Sequence, residues 1–304
     1  MGISEGEVIA LLQKIFATND PRVEVGIGDD GAVVKTSDHQ VITTDMAVEG
    51  VHFKKKWSSA FEIGRKVTAA NLADILAMGA TPEFLVVSIS LTGTEEISWI
   101  TDLAKGIKHE ADLGSAIVVG GDIARGQSVT ISITALGECE KPILRSGARI
   151  GDSIYLSSLT GWSAAGLNIL TSQKLAETDA AKKAVAEFVA PTLDYAMDFS
   201  KAHSLCDISD AVLIQGNQLA AASGVALKFD LGKIENAPEF AQLKSVADLL
   251  GVDVFDFIFG GGEDHVLLAT GKDLPGLCVG EVIQGEGIQG LEMKKAPDTW
   301  RHFN

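Results

Sequence analysis

The chain has 304 residues, 46% of them hydrophobic, with a mean hydropathy of +0.21; this allows a buried core in about two domains and excludes a disordered chain. Its 25 Lys and Arg against 41 Asp and Glu leave a formal net charge of −16, a poor match for a nucleic-acid backbone. The longest apolar runs, such as Phe84–Leu91, fall short of the ~20 residues that span a bilayer, and MGISEGEVIALLQKIF lacks the basic start of a signal peptide, so a cytoplasmic protein with neither nucleic-acid nor membrane partners is expected.

In chain order, Ser4 can cap a helix running to about Ala17, with Glu7 at the capping-box position. Short β-branched runs follow over 32–35 and 41–44. A helical pattern over 62–78 stops at Gly79, and 84–91 reads as a strand. Ile97, Ile100, Ala104, Ile107 and Ala111 recur at helical spacing up to Gly114, ahead of strands over 116–119 and 129–136. The polar, Pro- and Gly-containing stretch EKPILRSGARIGD (140–152) is the best boundary, giving domains over 1–140 and 150–304. The second is expected to hold a strand over 153–157, helices over 163–171, 180–188, 193–202 and 212–222, and strands over 225–229, 265–269 and 277–282. The whole is a mixed α/β (α+β) chain. Cys139, Cys206 and Cys278 are scattered without a C-x-x-C pair, so neither a disulfide framework nor a zinc site is expected, and the three read as buried thiols.

Two segments match G-x-G-x-x-G, Gly26–Gly31 and Gly285–Gly290. Neither opens a helix inside a strand-helix-strand unit, so both fail the dinucleotide context test. Asp29 and Asp30 would also repel a bare pyrophosphate unless a cation lay between. No G-x-x-x-x-G-K-S/T or H-E-x-x-H occurs. What does recur is an apolar run ending in a turn that bears an acid: GIGDDGAVV, VITTDMAVEG, AIVVGGDIA, SLCDISDAV and IFGGGED. Carboxylates at strand ends can converge into a hard, all-oxygen pocket suited to Mg²⁺, with Thr43 and Thr44 adding oxygens. Asn71 and Asp74, three apart on the predicted helix, share a face and could reach the same place. The plainer alternative is that Asp and Gly simply favour turns.

The series GIGDD, TTDMAVEGVHF, AANLADILAMGATPEFLVVSISL, GGDIARG, RSGARIGDSIYLSS, CDISDAV and GGGEDHVLL resembles the thiamine-monophosphate kinase family, in the same order and over nearly the whole chain. That family is similar to aminoimidazole ribonucleotide synthetase, selenophosphate synthetase and the hydrogenase-maturation dehydratase, all of which use ATP without a P-loop. The resemblance implies a two-domain α/β protein and a homodimer whose N-terminal sheets join into a barrel. The first domain would bind ATP and Mg²⁺ and dimerise, and the second would complete the nucleotide and substrate site.

Residue by residue, the resemblance implies Mg²⁺ ligands at Asp30, Thr43, Thr44, Asp45, Asp74, Asp122, Asp207 and Asp210. It implies ATP contacts at Gly121, Asp122, Arg145 and Ser209, and thiamine-phosphate contacts at His52, Glu263 and Trp300. The chain departs from the family at Ala211, where D-x-S-D-G-L is usual, and at His265 and Val266, where G-G-E-D-Y-E-L is usual. The implied reaction moves the γ-phosphoryl group of ATP to thiamine monophosphate; a related enzyme acting on another phosphorylated acceptor is the alternative. A phosphate oxygen is already nucleophilic at neutral pH, so no acid/base residue is required and catalysis rests on charge neutralisation and in-line positioning.

Overall fold

The structure, a computed structural model, describes residues 5–27, 31–174 and 177–291. The chain divides into two units, Met1–Leu76 with Ala80–Pro142 and Ala77–Gly79 with Ile143–Asn304. From the N-terminus come α1 (Glu5–Ile15), β1 (Val23–Val25), β2 (Val33–Val34), β3 (Gln40–Val48), α2 (Ala60–Ala77), β4 (Thr81–Leu91), α3 (Ile97–Leu113), β5 (Ile117–Arg125) and β6 (Thr130–Glu138). The short β1 and β2 pair with each other, and the other four strands form a sheet in the order β3-β6-β4-β5. β4 and β5 run parallel, joined through α3, while β6 is antiparallel to both β3 and β4. Along β6 the burial alternates with period two, placing Ile131, Ile133 and Ala135 fully inside.

α2 starts two residues before the expected position because Ser59 and Glu62 form a capping box. The Ser59 N–H donates to Glu62 Oε2 at 2.7 Å, and the Glu62 N–H returns to Ser59 Oγ at 3.3 Å. The Ser4 cap expected for α1 lies outside the described residues. β5 is longer than the four residues expected: it continues through Gly120, Gly121 and Asp122, in register with β4. Gly121 is what permits this, since a Cβ there would lie 2.0 Å from the Val87 carbonyl oxygen of the neighbouring strand.

The second unit contains β7 (Ser153–Leu156), α4 (Trp162–Ser172), α5 (Asp179–Val189), β8 (Ser204–Ile208), α6 (Val212–Ser223), β9 (Ala226–Phe229), α7 (Leu231–Glu235), α8 (Phe240–Leu250), α9 (Val254–Gly260), β10 (Val266–Gly271), β11 (Leu277–Ile283) and β12 (Gly287–Gln289). Its sheet runs β12-β9-β11-β7-β10-β8, antiparallel except where β12 meets β9. Ile154, Leu156, Ile208, Leu227 and Leu268 are buried in one core with residues of α4, α6, α8 and α9. The second G-x-G-x-x-G is the turn between β11 and β12 plus that strand, with positive φ at Gly285, Gly287 and Gly290 and no helix opening on it.

Three expectations are corrected. The stretch 193–202 is not a helix: Asp194 Oδ1 accepts from the Ala196 N–H at 3.0 Å and Asp198 Oδ1 from the Ser200 N–H at 2.8 Å. Each aspartate thus bonds the backbone two residues on and competes with the helical ladder. Of the three thiols only Cys206 is buried; Cys139, just past the end of β6, and Cys278, in β11, are part-exposed. Of the acids expected in turns at strand ends, Asp45, Asp122 and Asp207 lie inside strands, while Asp210, Glu263 and Asp264 do lie in loops. No helix among the described residues is long and apolar enough to cross a membrane.

Candidate functional site

The predicted site residues fall on both units. In the first, Thr43, Thr44 and Asp45 sit in the middle of β3, where side chains alternate between faces. Thr43 faces α2 and donates to Asp74 Oδ2 at 2.7 Å. The Asp45 N–H donates to Asn71 Oδ1 at 2.9 Å, while the Asn71 amide is held from its other end by the Val67 carbonyl. The helix spacing of Asn71 and Asp74 therefore presents both to β3. Thr44 turns to the other face, where its hydroxyl donates to the Ile133 carbonyl at 3.0 Å and accepts from Thr134 Oγ1 at 3.2 Å.

Asp122 is mid-strand in β5, opposite Ser88 of β4, and exposed like Asp45. The expectation that these acids occupy turns is corrected: in both cases the flanking residues keep their ladder partners. The sheet order places Asp45 on one edge and Asp122 on the other, with β6 and β4 between, about 14 Å along a flat ladder at 4.7–4.9 Å per strand. Beside Gly121 and Asp122 lies a cavity of about 400 Å³, walled by Leu12, Ala104, Ile107 and Val118 among others. Sequence reasoning missed it, although the apolar face of α1 and the regular apolar spacing of α3 were its signal. His52 follows β3 in a turn; its Nδ1 accepts from the Val48 N–H at 3.0 Å, which puts the neutral ring's proton on Nε2.

In the second unit, Asp207 belongs to β8 and is buried, its Oδ2 3.5 Å from His265 Nδ1. Ser209 and Asp210 follow the strand end. The loop 261–265 is tied to them by backbone bonds, Glu263 N–H to the Ser209 carbonyl at 2.6 Å and His265 N–H to the Ile208 carbonyl at 3.0 Å. Gly262 makes this approach possible: a Cβ there would lie 2.3 Å from the Asp210 carbonyl oxygen and 2.5 Å from that of Ser209. Glu263 and His265 both adopt positive φ, +66° and +52°, so the loop is a strained turn held on each side.

Asp264, which sequence reasoning passed over for its neighbour, anchors that loop. Its carboxylate accepts from the Gly161 N–H at 2.6 Å and the Ser163 N–H at 2.8 Å, capping the start of α4. Burial pushes its carboxyl up to about 6, against the pull of those two N–H groups. Arg145 is exposed; burial pushes the thiol of Cys206 upward, and the positive charge of Arg145 pulls the other way. The Arg145 carbonyl accepts from Ser223 Oγ at 3.1 Å. Ala211 has φ −175° and ψ 152°, extended backbone that needs no glycine. Asp30 and Trp300 lie outside the described residues. Among the described residues, no three His, Cys, Asp or Glu side chains are grouped to hold a metal ion by themselves.

Residues 28–139 match the family model "AIR synthase related protein, N-terminal domain". The chain is 35% identical to thiamine-monophosphate kinase of Corynebacterium glutamicum over 91% of this chain and 88% of that one. It is 31% identical to the same enzyme of Aquifex aeolicus over the full length of both. Its fold superposes with a TM-score of 0.78 on AaThiL complexed with AMPPCP and TMP, covering 98% of this chain and 97% of that one at 30% identity. End-to-end likeness in sequence and in fold has one reading: the chain belongs to the thiamine-monophosphate kinase family.

Proposed function

We propose that this chain phosphorylates thiamine monophosphate with ATP, giving thiamine diphosphate and ADP. The observation that carries the reading is the near-complete match to AaThiL, which binds AMPPCP, an analogue of ATP, together with TMP. A terminal phosphate oxygen of the acceptor attacks the γ-phosphorus, the bond to the β,γ-bridging oxygen breaks, and ADP leaves with the electron pair.

The donor chemistry suits Mg²⁺. Thr43, Thr44, Asp45, Asp74, Asp122, Asp207 and Asp210, with Asp30, offer only hydroxyl, carbonyl and carboxylate oxygens. Thr43 and Asp74 already lie 2.7 Å apart. Mg²⁺ would need only one or two of these carboxylates, since waters and substrate phosphates would complete its shell. When bound, Mg²⁺ supplies the charge neutralisation that lets one phosphate approach another.

The chain's own residues then bind and orient. The apolar cavity beside Gly121 and Asp122 takes the nucleotide base, while the Gly121 backbone, Arg145 and Ser209 hold the phosphates. The Arg145 guanidinium suits phosphate oxygens because it is a planar, permanently charged fork. His52, Glu263 and Trp300 hold the thiamine phosphate, the indole attracting its thiazolium cation. Asp45 and Asp122 occupy opposite edges of one sheet, and both edge strands are nine residues long with exposed Ile42 and Met46 on β3. These features support a homodimer in which two N-terminal sheets join as a barrel. The domains 1–140 and 150–304 each carry part of this set of oxygen donors, and the free thiols suit a cytoplasmic enzyme.

The test is to incubate purified protein with ATP, Mg²⁺ and thiamine monophosphate, with a panel of other phosphorylated acceptors in parallel. One thiamine diphosphate per ADP is expected. Faster turnover of another acceptor, or ADP release without thiamine diphosphate, overturns the reading.

A further inference from the structure

α6 starts without the residue type that usually caps a helix. Its N-cap is Ala211, which has no side-chain oxygen to offer the first turn, and the Ile214 N–H goes instead to the Ala211 carbonyl at 3.0 Å. Gln215, buried and one turn further on, folds back over the gap. Its Oε1 accepts from the Ala211 N–H at 2.9 Å. Its Nε2 donates to Ser209 Oγ at 3.1 Å and to Asp210 Oδ2 at 3.1 Å.

The partners determine which way the amide faces. A backbone N–H can only donate, and an ionised carboxylate can only accept. The oxygen end must therefore meet Ala211 and the nitrogen end must meet Asp210. One buried, uncharged side chain thus closes the helix start and grips two neighbouring side chains with its two N–H groups. The backbone bond from Glu263 to Ser209 holds the main chain of this loop but leaves those side chains to be set by Gln215. The grip is also electrically neutral, whereas a lysine here would compete with a cation for Asp210 and a glutamate would repel the carboxylate.

We propose that Gln215 is a positioning residue that fixes the side chains of Ser209 and Asp210 for Mg²⁺-bound ATP. The proposal rests on the reading of those two residues as nucleotide and metal contacts. Groups that orient metal ligands are worth about 10–100-fold in affinity, which sets the scale of the effect.

Two variants of the full chain test it, with calorimetric binding of AMPPCP in Mg²⁺ as the main readout, beside melting temperatures and the KM for thiamine monophosphate. Gln215→Met keeps length and burial but removes the acceptor and both donors. Gln215→Glu keeps an acceptor for Ala211 and turns an anionic oxygen toward Asp210. Both are expected to weaken Mg²⁺-dependent AMPPCP binding about tenfold while moving the thiamine monophosphate KM by less than about twofold. Gln215→Glu keeps the helix cap, so its melting temperature shows whether it folds; if Gln215→Met does not fold, this variant decides alone. Unchanged or tighter nucleotide binding by Gln215→Glu, or equal weakening for both substrates, overturns the proposal. Ser209→Ala and Asp210→Asn separate the two levels. If neither alters AMPPCP binding, the assignment of these contacts fails; if both do and Gln215→Glu does not, the positioning role alone fails.

Discussion

Replacing Asp264 by asparagine leaves the shape of the side chain and changes its titration. In the folded chain this carboxylate is 7% exposed and accepts two N–H bonds at the start of α4. Burial raises it from its ordinary 3.8 to about 6. An acid with a higher pKa when folded than when unfolded binds more protons in the folded state between the two values, so stability falls as pH rises through that window. The interval amounts to about 3 kcal/mol at 1.36 kcal/mol per tenfold change in proton affinity. The asparagine side chain would be neutral throughout, but its amide NH₂ would face one of the two backbone donors, a mismatch worth about 1–3 kcal/mol at every pH. Asp264→Asn should therefore be the less stable protein below about pH 4. Its deficit should shrink or reverse above about pH 6, a relative change of about 3 kcal/mol, or about 6–12 °C in Tm for a unit of this size. Differential scanning calorimetry of both proteins from pH 4 to 7 measures it, since other titrating groups cancel in the difference. A gap that stays constant across the window refutes the reasoning.

Asp45→Asn and Asp122→Asn should each lower turnover at least ~100-fold, the scale of losing a principal electrostatic stabiliser; steady-state assays with and without EDTA check this, and full activity in EDTA would contradict it. Gly262→Ala should raise the KM of both substrates and cost about 1–3 kcal/mol of stability, because the added methyl meets backbone oxygens of Ser209 and Asp210 rather than a movable side chain; parent-like kinetics and melting would show that the loop yields. Ala211→Gly should lose about 0.5–1 kcal/mol to backbone entropy with little kinetic change, since the native φ of −175° suits alanine; a tenfold gain in turnover would show a loop impaired by the alanine.

Periodicity made most regular elements legible. Ile100, Ala104, Ile107 and Ala111 mark α3 by their spacing, and all four are buried along that helix. α8 carries the same kind of signal in Phe240, Leu243, Val246 and Ala247, in a stretch to which the sequence reading assigned no element. Where the expectations failed, short polar residues had two roles available. Asp194 and Asp198 look tolerable in a helical window, yet they satisfy local N–H groups and keep 193–202 in turns. Gly121 and Asp122 look like a turn, yet the close approach to Val87 carries the strand through them. The site was legible in its chemistry and less so in its placement. Acid-rich motifs identify oxygen donors, but that Asp45 and Asp122 lie on opposite edges depends on strand order, which no local pattern encodes. The roles of Asp264 and Gln215 likewise depend on partners brought close only by the fold.

The strand order also sets a timetable. β6 is the last strand of the first unit to be made, yet it lies between β3 and β4. Thr44 on β3 meets Thr134 on β6 across 90 residues of chain. At about 5–20 residues per second of synthesis, β3 waits roughly 5–20 s for its neighbour. During that wait, of the four strands of this sheet only β4 and β5 have each other, once α3 has formed between them, and Ile42, Met46 and Ala47 have no ladder to belong to. Slow emergence costs this sheet little, but a crowded population of half-made chains offers every waiting β3 a stranger's β6, so growth temperature and expression rate should govern the yield of correctly paired protein more than the final stability does.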